Sequence, residues 1–239
     1  MKGIVLAGGL GTRLHPLTHA VSKQLLPVYR NPMIYYPIMT LRDMGIKDIM
    51  IITAPDQQQM FKTALAHVTE VRLTFATQQS PRGLPEAFII AEQWLDGDCV
   101  TLILGDNIFL NASPIEWDFN KIFTFEVERP ERYGVVDLDS QGYIRDIVEK
   151  PTSFVSNSAV VGLYMFNNSA CKYAKQLKPS KRNELEIVDL IKAINKAEEM
   201  TVQSLDGFWF DAGNPDDLLD CANMVRAIEQ RSSRKFILK

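Results

Sequence analysis

Gly3 to Ala7 form a short apolar run that leads straight into a loop carrying Gly8, Gly9 and Gly11. A strand that empties into clustered glycines must turn sharply, and it leaves bare backbone N–H groups with no Cβ in the way. Arg13 follows just after the glycines, and Lys23 stands further along in Ser22-Lys23-Gln24-Leu25-Leu26-Pro27-Val28. A guanidinium and an ammonium added to such a loop suit a polyphosphate. The pattern is neither a P-loop, which needs Lys-Ser/Thr after the glycines, nor the dinucleotide fingerprint, because its third glycine position is Leu14.

Apolar and helical patterns alternate through the first half. Strands are predicted at Gly3–Ala7, Asp48–Thr53, Arg72–Ala76 and Cys99–Leu104, with helices near Met33–Met44, Gln57–Ala66 and Leu84–Trp94. Pro32 reads as a first helical residue and Gly45 as a stop. Alternation of this kind implies an α/β fold, a mostly parallel sheet with helices on both faces. Ligands of such sheets sit beyond the carboxyl ends of the strands, where Gly8–Arg13 falls.

The second half reads as strands at Tyr133–Asp137, Tyr143–Glu149 and Ala159–Phe166, with Asp139-Ser140-Gln141-Gly142 as a hairpin turn. Helices are expected at Ser169–Gln176 and Glu184–Lys196, a short strand pair around Thr201–Phe210, and a last helix from Pro215 to about Arg231. No linker or repeat divides the chain, so one domain over residues 1–239 is expected.

Lys and Arg number 26 against 29 Asp and Glu, a formal charge of −3, which argues against a nucleic-acid partner. The basic tail from Arg231 to Lys239 reads as a solvated end. No apolar run approaches the length needed to cross a bilayer, and the start is a strand rather than a signal peptide. Cys99, Cys171 and Cys221 lie far apart and read as buried thiols of a cytoplasmic protein. His15, His19 and His67 form no metal-ligand set and read as surface or loop histidines.

Asp106 and Asp211 each end an apolar, strand-like run, Val-Thr-Leu-Ile-Leu-Gly-Asp and Gly-Phe-Trp-Phe-Asp. Hard oxygen donors at strand ends, joined by phosphate oxygens, suit Mg²⁺, although Asp in such contexts also caps turns. Lys150 ends a strand at Glu149-Lys150-Pro151, where it suits a second phosphate or a solvated surface pair. Gln78-Gln79-Ser80-Pro81-Arg82-Gly83-Leu84 offers an amide and a free backbone to a pyrimidine edge, or an ordinary turn.

Taken together, Leu6–Val28, Pro32–Pro37, Gln78–Phe88, Leu104–Phe109, Pro130–Val136, Glu149–Pro151, Ala159–Tyr164, Leu177–Asp189 and Trp209–Gly213 resemble the sugar-nucleotide pyrophosphorylases, most closely the glucose-1-phosphate thymidylyltransferases. The resemblance runs through nearly the whole chain and implies a Rossmann-like, glycosyltransferase-A-type mixed sheet. It implies transfer of a thymidylyl group from dTTP to glucose 1-phosphate with Mg²⁺, in a homo-oligomer. By that likeness Leu6, Gly8, Gly9, Gly11, Thr12, Gln24, Gln78 and Gly83 hold the nucleotide. Arg13 and Lys23 are catalytic, Asp106 and Asp211 hold the metal, and Gly134, Glu149, Lys150 and Tyr164 hold the sugar phosphate. A uridylyl- or cytidylyl-transferring enzyme and a non-catalytic nucleotide-binding relative remain the alternatives.

The sequence departs from the family in four places. Only residues 110–120 separate the Leu104–Phe109 segment from a strand predicted at Lys121–Val127, and a parallel crossover takes about a dozen residues or more, so the usual helix there is expected to be shortened or lost. Pro85 stands where a small residue normally begins a helix, and Ala212 and Asn214 replace the usual threonines beside Gly213. The sequence stops soon after the last helix, so no regulatory nucleotide site built on a longer extension is expected.

Overall fold

The computed structural model describes residues 1–232 and 235–239. In chain order its elements are β1 (Lys2–Ala7), β2 (Pro27–Val28), β3 (Asn31–Pro32), α1 (Tyr35–Asp43), β4 (Asp48–Thr53), α2 (Gln58–Ala64), β5 (Arg72–Thr77), α3 (Glu86–Leu95), β6 (Val100–Leu104) and β7 (Asn107–Leu110). There follow β8 (Lys121–Glu126), β9 (Gly134–Leu138), β10 (Ile144–Glu149), β11 (Ser158–Phe166), α4 (Ala170–Ala174), α5 (Ile187–Ala197), β12 (Thr201–Ser204), β13 (Phe208–Asp211) and α6 (Pro215–Arg231). The strands belong to a mixed sheet and two small ribbons.

Residues group into two compact units, and the chain passes between them four times. The first comprises Met1–Pro81, Ile103–Ala112 and Gly207–Lys239. Here β1, β4 and β5 run parallel, in register from Gly3↔Ile49 to Ala7↔Thr53 and from Asp48↔Arg72 to Thr53↔Thr77. β1 and β4 are almost wholly buried, which is why they read as unbroken apolar runs rather than as alternation. α1 packs on β1 so closely that a Cβ on Gly3 would stand 2.8 Å from Leu41 Cδ1. Gly45 stops α1 as expected, at φ +81, with the Gly45 N–H donating to Arg42 O and the Ile46 N–H to Leu41 O.

Pro32 does not open that helix. It pairs with Pro27 in the β2–β3 ribbon, and α1 begins at Tyr35. The tail is a second correction. Phe236 and Leu238 are buried while Lys235, Ile237 and Lys239 face solvent, a strand-like alternation that the count of basic residues conceals. Asn31 Nδ2 donates to Phe236 O at 2.6 Å, Arg42 Nη1 to Ile237 O at 2.9 Å, and the Thr69 and Glu70 N–H groups to Lys239 O. Ser233 and Arg234 lie outside the described residues.

The second unit comprises Arg82–Leu102 and Ser113–Asp206. β9 and β10 form the expected hairpin, with Gly142 at φ +89 and Asp139 Oδ1 accepting the Gln141 and Tyr143 N–H groups. β11 runs antiparallel to β8 and β9, and β12 runs parallel to β8. The pair expected around Thr201–Phe210 is therefore two strands with separate partners, since β13 pairs with β7. Periodicity identifies a strand but not its neighbour.

Residues 111–120 contain no helix, as the shortened spacing implied. An extended segment is pinned to β12 instead: Gln203 Oε1 accepts the Glu116 N–H at 3.2 Å and Gln203 Nε2 donates to Pro114 O at 2.9 Å. Among the described residues no helix is long and apolar enough to cross a membrane. The cysteines are free; Cys221 is buried, whereas Cys99 and Cys171 are only half-buried, short of the full burial expected. His15, His19 and His67 are exposed.

Candidate active site

The glycine loop leaves β1 and turns at Gly11, whose φ of +66 places it in the left-handed region. Thr18 Oγ1 donates to Gly11 O at 2.8 Å and holds the turn. A short 3₁₀ turn over Thr12–Leu14 then buries Leu14 and leaves Arg13 exposed. Lys23 folds back along the loop. Its Nζ lies 3.7 Å from where a Cβ on Gly9 would stand, and it donates to Asp106 Oδ2. On the far side Gln78 Oε1 lies 3.0 Å from the same position on Gly8.

Both aspartates come to this loop on the β7–β13 ribbon. Asp211 pairs with Asn107, and the Ala212 N–H donates to Asp106 O at 3.0 Å. Trp209 Nε1 donates to Asn107 Oδ1 at 2.8 Å and braces the ribbon. Burial alone would raise the Asp106 carboxyl, but the Lys23 ammonium outweighs it and holds Asp106 below its ordinary value. Asp211 goes the other way: burial, then the neighbouring Asp106 charge, push it up to about 6 against the pull of Arg13 and Lys23. Arg13 Nη2 stands 4.0 Å from Asp211 Oδ2. Beneath it lies Gly213, where a Cβ would come within 2.6 Å of Arg13 Nη2.

Loop, two cations and two carboxylates thus converge within the first unit, together with Leu6, Gln24 and Gln78. Such a centre can seat a polyphosphate on backbone amides and present hard oxygens beside it.

The remaining candidates lie in the second unit. Gly134 pairs with Glu149, whose Oε2 is 2.9 Å from where a Cβ on Gly134 would stand. The buried Tyr164 hydroxyl is pushed above its ordinary value by burial and then by the Glu149 charge. Lys150 sits at φ +45, with its N–H donating to Tyr133 O, at the end of β10 as expected. Gly83, at φ +96, forms a parallel bridge to Leu185, whose carbonyl a Cβ would overlap. Only glycine fits there.

Three contributors escaped the sequence reading. Gly213 seats Arg13, Gly105 lies against Gln24 (a Cβ would be 2.9 Å from Gln24 Cγ), and Ser22 Oγ donates to Gln24 Oε1 at 2.6 Å. Each stands inside a motif already singled out, which was the available signal.

The sequence pattern of nucleotidyl transferases matches residues 2–227. The chain belongs to the nucleotidyl transferase family. Among curated relatives, the Neisseria meningitidis glucose-1-phosphate thymidylyltransferase is 44% identical over 241 residues, spanning 96% of this chain and 84% of that protein. The Mycobacterium tuberculosis glucose-1-phosphate thymidylyltransferase is 42% identical over 98% of this chain and 85% of its own. A solved Bacillus anthracis structure, described as a glucose-1-phosphate thymidylyltransferase, superposes with a TM-score of 0.86 at 35% identity over 95% of this chain and 96% of that one. A UDP-glucose pyrophosphorylase shares the fold, with a TM-score of 0.82 at 22% identity over 95% of this chain and 98% of that one. As a nucleotidyl transferase, this chain has the family's mixed, mostly parallel sheet with helices packed on it.

Proposed function

We propose that this nucleotidyl transferase joins dTTP and α-D-glucose 1-phosphate to give dTDP-glucose and pyrophosphate, as a single cytoplasmic nucleotidyltransferase domain and a homo-oligomer, with neither nucleic acid nor membrane as partner. The observation that carries the reading is the convergence of the Gly8–Gly11 loop, Arg13, Lys23, Asp106 and Asp211 in a chain 42–44% identical to thymidylyltransferases. The fourfold passage of the chain between its units supports treating residues 1–239 as one domain.

The donor set fits Mg²⁺. Two carboxylates, Asp106 buried and Asp211 half-buried, face one site; burial and then the Asp106 charge raise Asp211 to about 6, and Lys23 is bound to Asp106. Among the described residues no cluster of three or more His, Cys, Asp or Glu could ligate a metal, so substrate oxygens or water would complete the shell. Asp106 and Asp211 would hold the ion, which when bound offsets triphosphate charge.

The chain's own residues supply binding and orientation. Amides of Gly8, Gly9, Gly11 and Thr12 hold the triphosphate; Leu6, Gln24, Gln78 and Gly83 hold the nucleoside. Gly134, Glu149, Lys150 and Tyr164 hold the sugar phosphate. A phosphate oxygen of glucose 1-phosphate attacks the α-phosphorus of dTTP, the bond to the bridging oxygen breaks, and pyrophosphate leaves. Arg13 stabilises charge growing on that leaving group, and Lys23 contacts phosphate from its place between Gly9 and Asp106. Positioning and electrostatics dominate such a transfer.

The test is pyrophosphate release from glucose 1-phosphate and each of dTTP, UTP, CTP, ATP and GTP. Release with dTTP that EDTA and Asp106→Asn both abolish supports the proposal. Preference for UTP or CTP reassigns the nucleotide, and dTTP binding without release from any of the five overturns turnover.

A further inference from the structure

Gln24 is 1% exposed and Ser22 2% exposed, in a stretch otherwise concerned with phosphate. Ser22 Oγ donates to Gln24 Oε1 at 2.6 Å. That bond commits the carbonyl end of the amide to the protein, leaving Nε2 with two hydrogens to donate. Among the described residues no protein acceptor takes them. Nε2 is not one of the fully buried atoms left without a partner, so it is the end of the amide open to a bound molecule.

The amide is also fixed in place. Gly105, one residue before Asp106, approaches Gln24 Cγ so closely that a Cβ there would stand at 2.9 Å. The Gln24 carbonyl accepts the Ile34 N–H at 2.8 Å and anchors its backbone. A hydroxyl accepts as well as donates, so what the Ser22 bond fixes is the place of the amide; with Oε1 on Ser22, Nε2 is the end left to donate elsewhere.

We propose that Ser22 is a positioning residue for substrate recognition: it holds the Gln24 amide in place so that Nε2 donates to an acceptor oxygen of the nucleoside. The proposal rests on the reading above that Gln24 faces the nucleotide. The acceptor is either a ring carbonyl of the base or a hydroxyl oxygen of the sugar. Each accepts from an N–H, and an amide held by Ser22 presents one at a fixed place.

Steady-state kinetics on the full chain test this, with Ser22→Ala, Ser22→Thr, Gln24→Ala and the double Ser22→Ala/Gln24→Ala variant. Loss of the Ser22 bond raises the KM for dTTP about tenfold, the size of one hydrogen bond. In Ser22→Ala, kcat stays within about twofold and the KM for glucose 1-phosphate is unchanged, whereas a merely structural defect would lower kcat or move both KM values. Ser22→Thr, which keeps the hydroxyl, restores the dTTP KM, and Ser22→Ala adds nothing to Gln24→Ala. Repeating the series with 3′-deoxythymidine triphosphate locates the acceptor: a penalty that persists puts it on the base, and one that vanishes puts it on the 3′ oxygen. A Ser22→Ala penalty of equal size with and without Gln24 overturns the positioning role, as does an unchanged dTTP KM in Ser22→Ala. An unchanged dTTP KM in Gln24→Ala overturns instead the underlying assignment of Gln24, and the proposal with it.

Discussion

Lys23 Nζ donates to Asp106 Oδ2, and the two side chains are only 12% and 11% exposed. Removing one partner of such a pair leaves an uncompensated buried charge, at about 3–5 kcal/mol. Lys23→Met is therefore expected to lower the urea midpoint strongly, while Lys23→Met/Asp106→Asn regains most of that loss. Pyrophosphate release is lost in both. A double variant no more stable than Lys23→Met would contradict the pairing.

Gly213 is the shelf under Arg13, and a methyl group there competes with the guanidinium at 2.6 Å. The far end of a long side chain moves more easily than the β7–β13 ribbon. Gly213→Ala should keep its stability within about 0.5 kcal/mol of the parent and lose roughly a hundredfold in kcat. Full turnover in that variant would mean that Arg13 acts from another position.

Glu198 accepts from Asn167 Nδ2 at 2.5 Å and Asn120 Nδ2 at 2.9 Å. The Asn167 bond in particular holds its carboxyl below the ordinary value. A depressed folded-state value contributes stability that is present above the unfolded value and lost as pH falls through the folded one. Wild type should thus exceed Glu198→Gln in urea midpoint at pH 7, and the gap should narrow steadily below about pH 4.5. A gap that stays constant down to pH 3 would refute the linkage.

Phe236 anchors the tail, its ring 5.8 Å from that of Tyr36 and its N–H donating to Glu229 Oε1. Truncating a buried phenylalanine costs about 3 kcal/mol or more. Phe236→Ala should show that loss in urea unfolding with kcat unchanged. A midpoint equal to wild type would return the tail to solvent.

How much of this was legible in the sequence depended on how local each cause was. β4 matches its predicted bounds because an unbroken apolar run ends at both sides in turn residues, and α6 because Pro215 and the Asn214 cap mark its start. Gly45 works through bonds to Arg42 and Leu41, a few residues away. Pro32 misled because proline also suits the edge of a short ribbon, and only Pro27 opposite it decides the matter. The types of residue at the candidate site were readable from their motifs. Their geometry was not: Lys23 and Asp106 are 83 positions apart, and the seating of Arg13 on Gly213 spans most of the chain. The tail's buried face needed its alternation read in place of its charge.

The order in which the chain visits its units has a consequence for synthesis. Gly8 to Arg13 are translated before the second unit, yet Asp211 and Gly213, of the same unit as the loop, come after it. On the ribosome the nascent phosphate loop therefore waits, without its carboxylate or its glycine shelf, while the whole second unit is made. The centre closes only once the ribbon after the second unit has emerged, so the phosphate loop and its partners are assembled across an intervening folding unit.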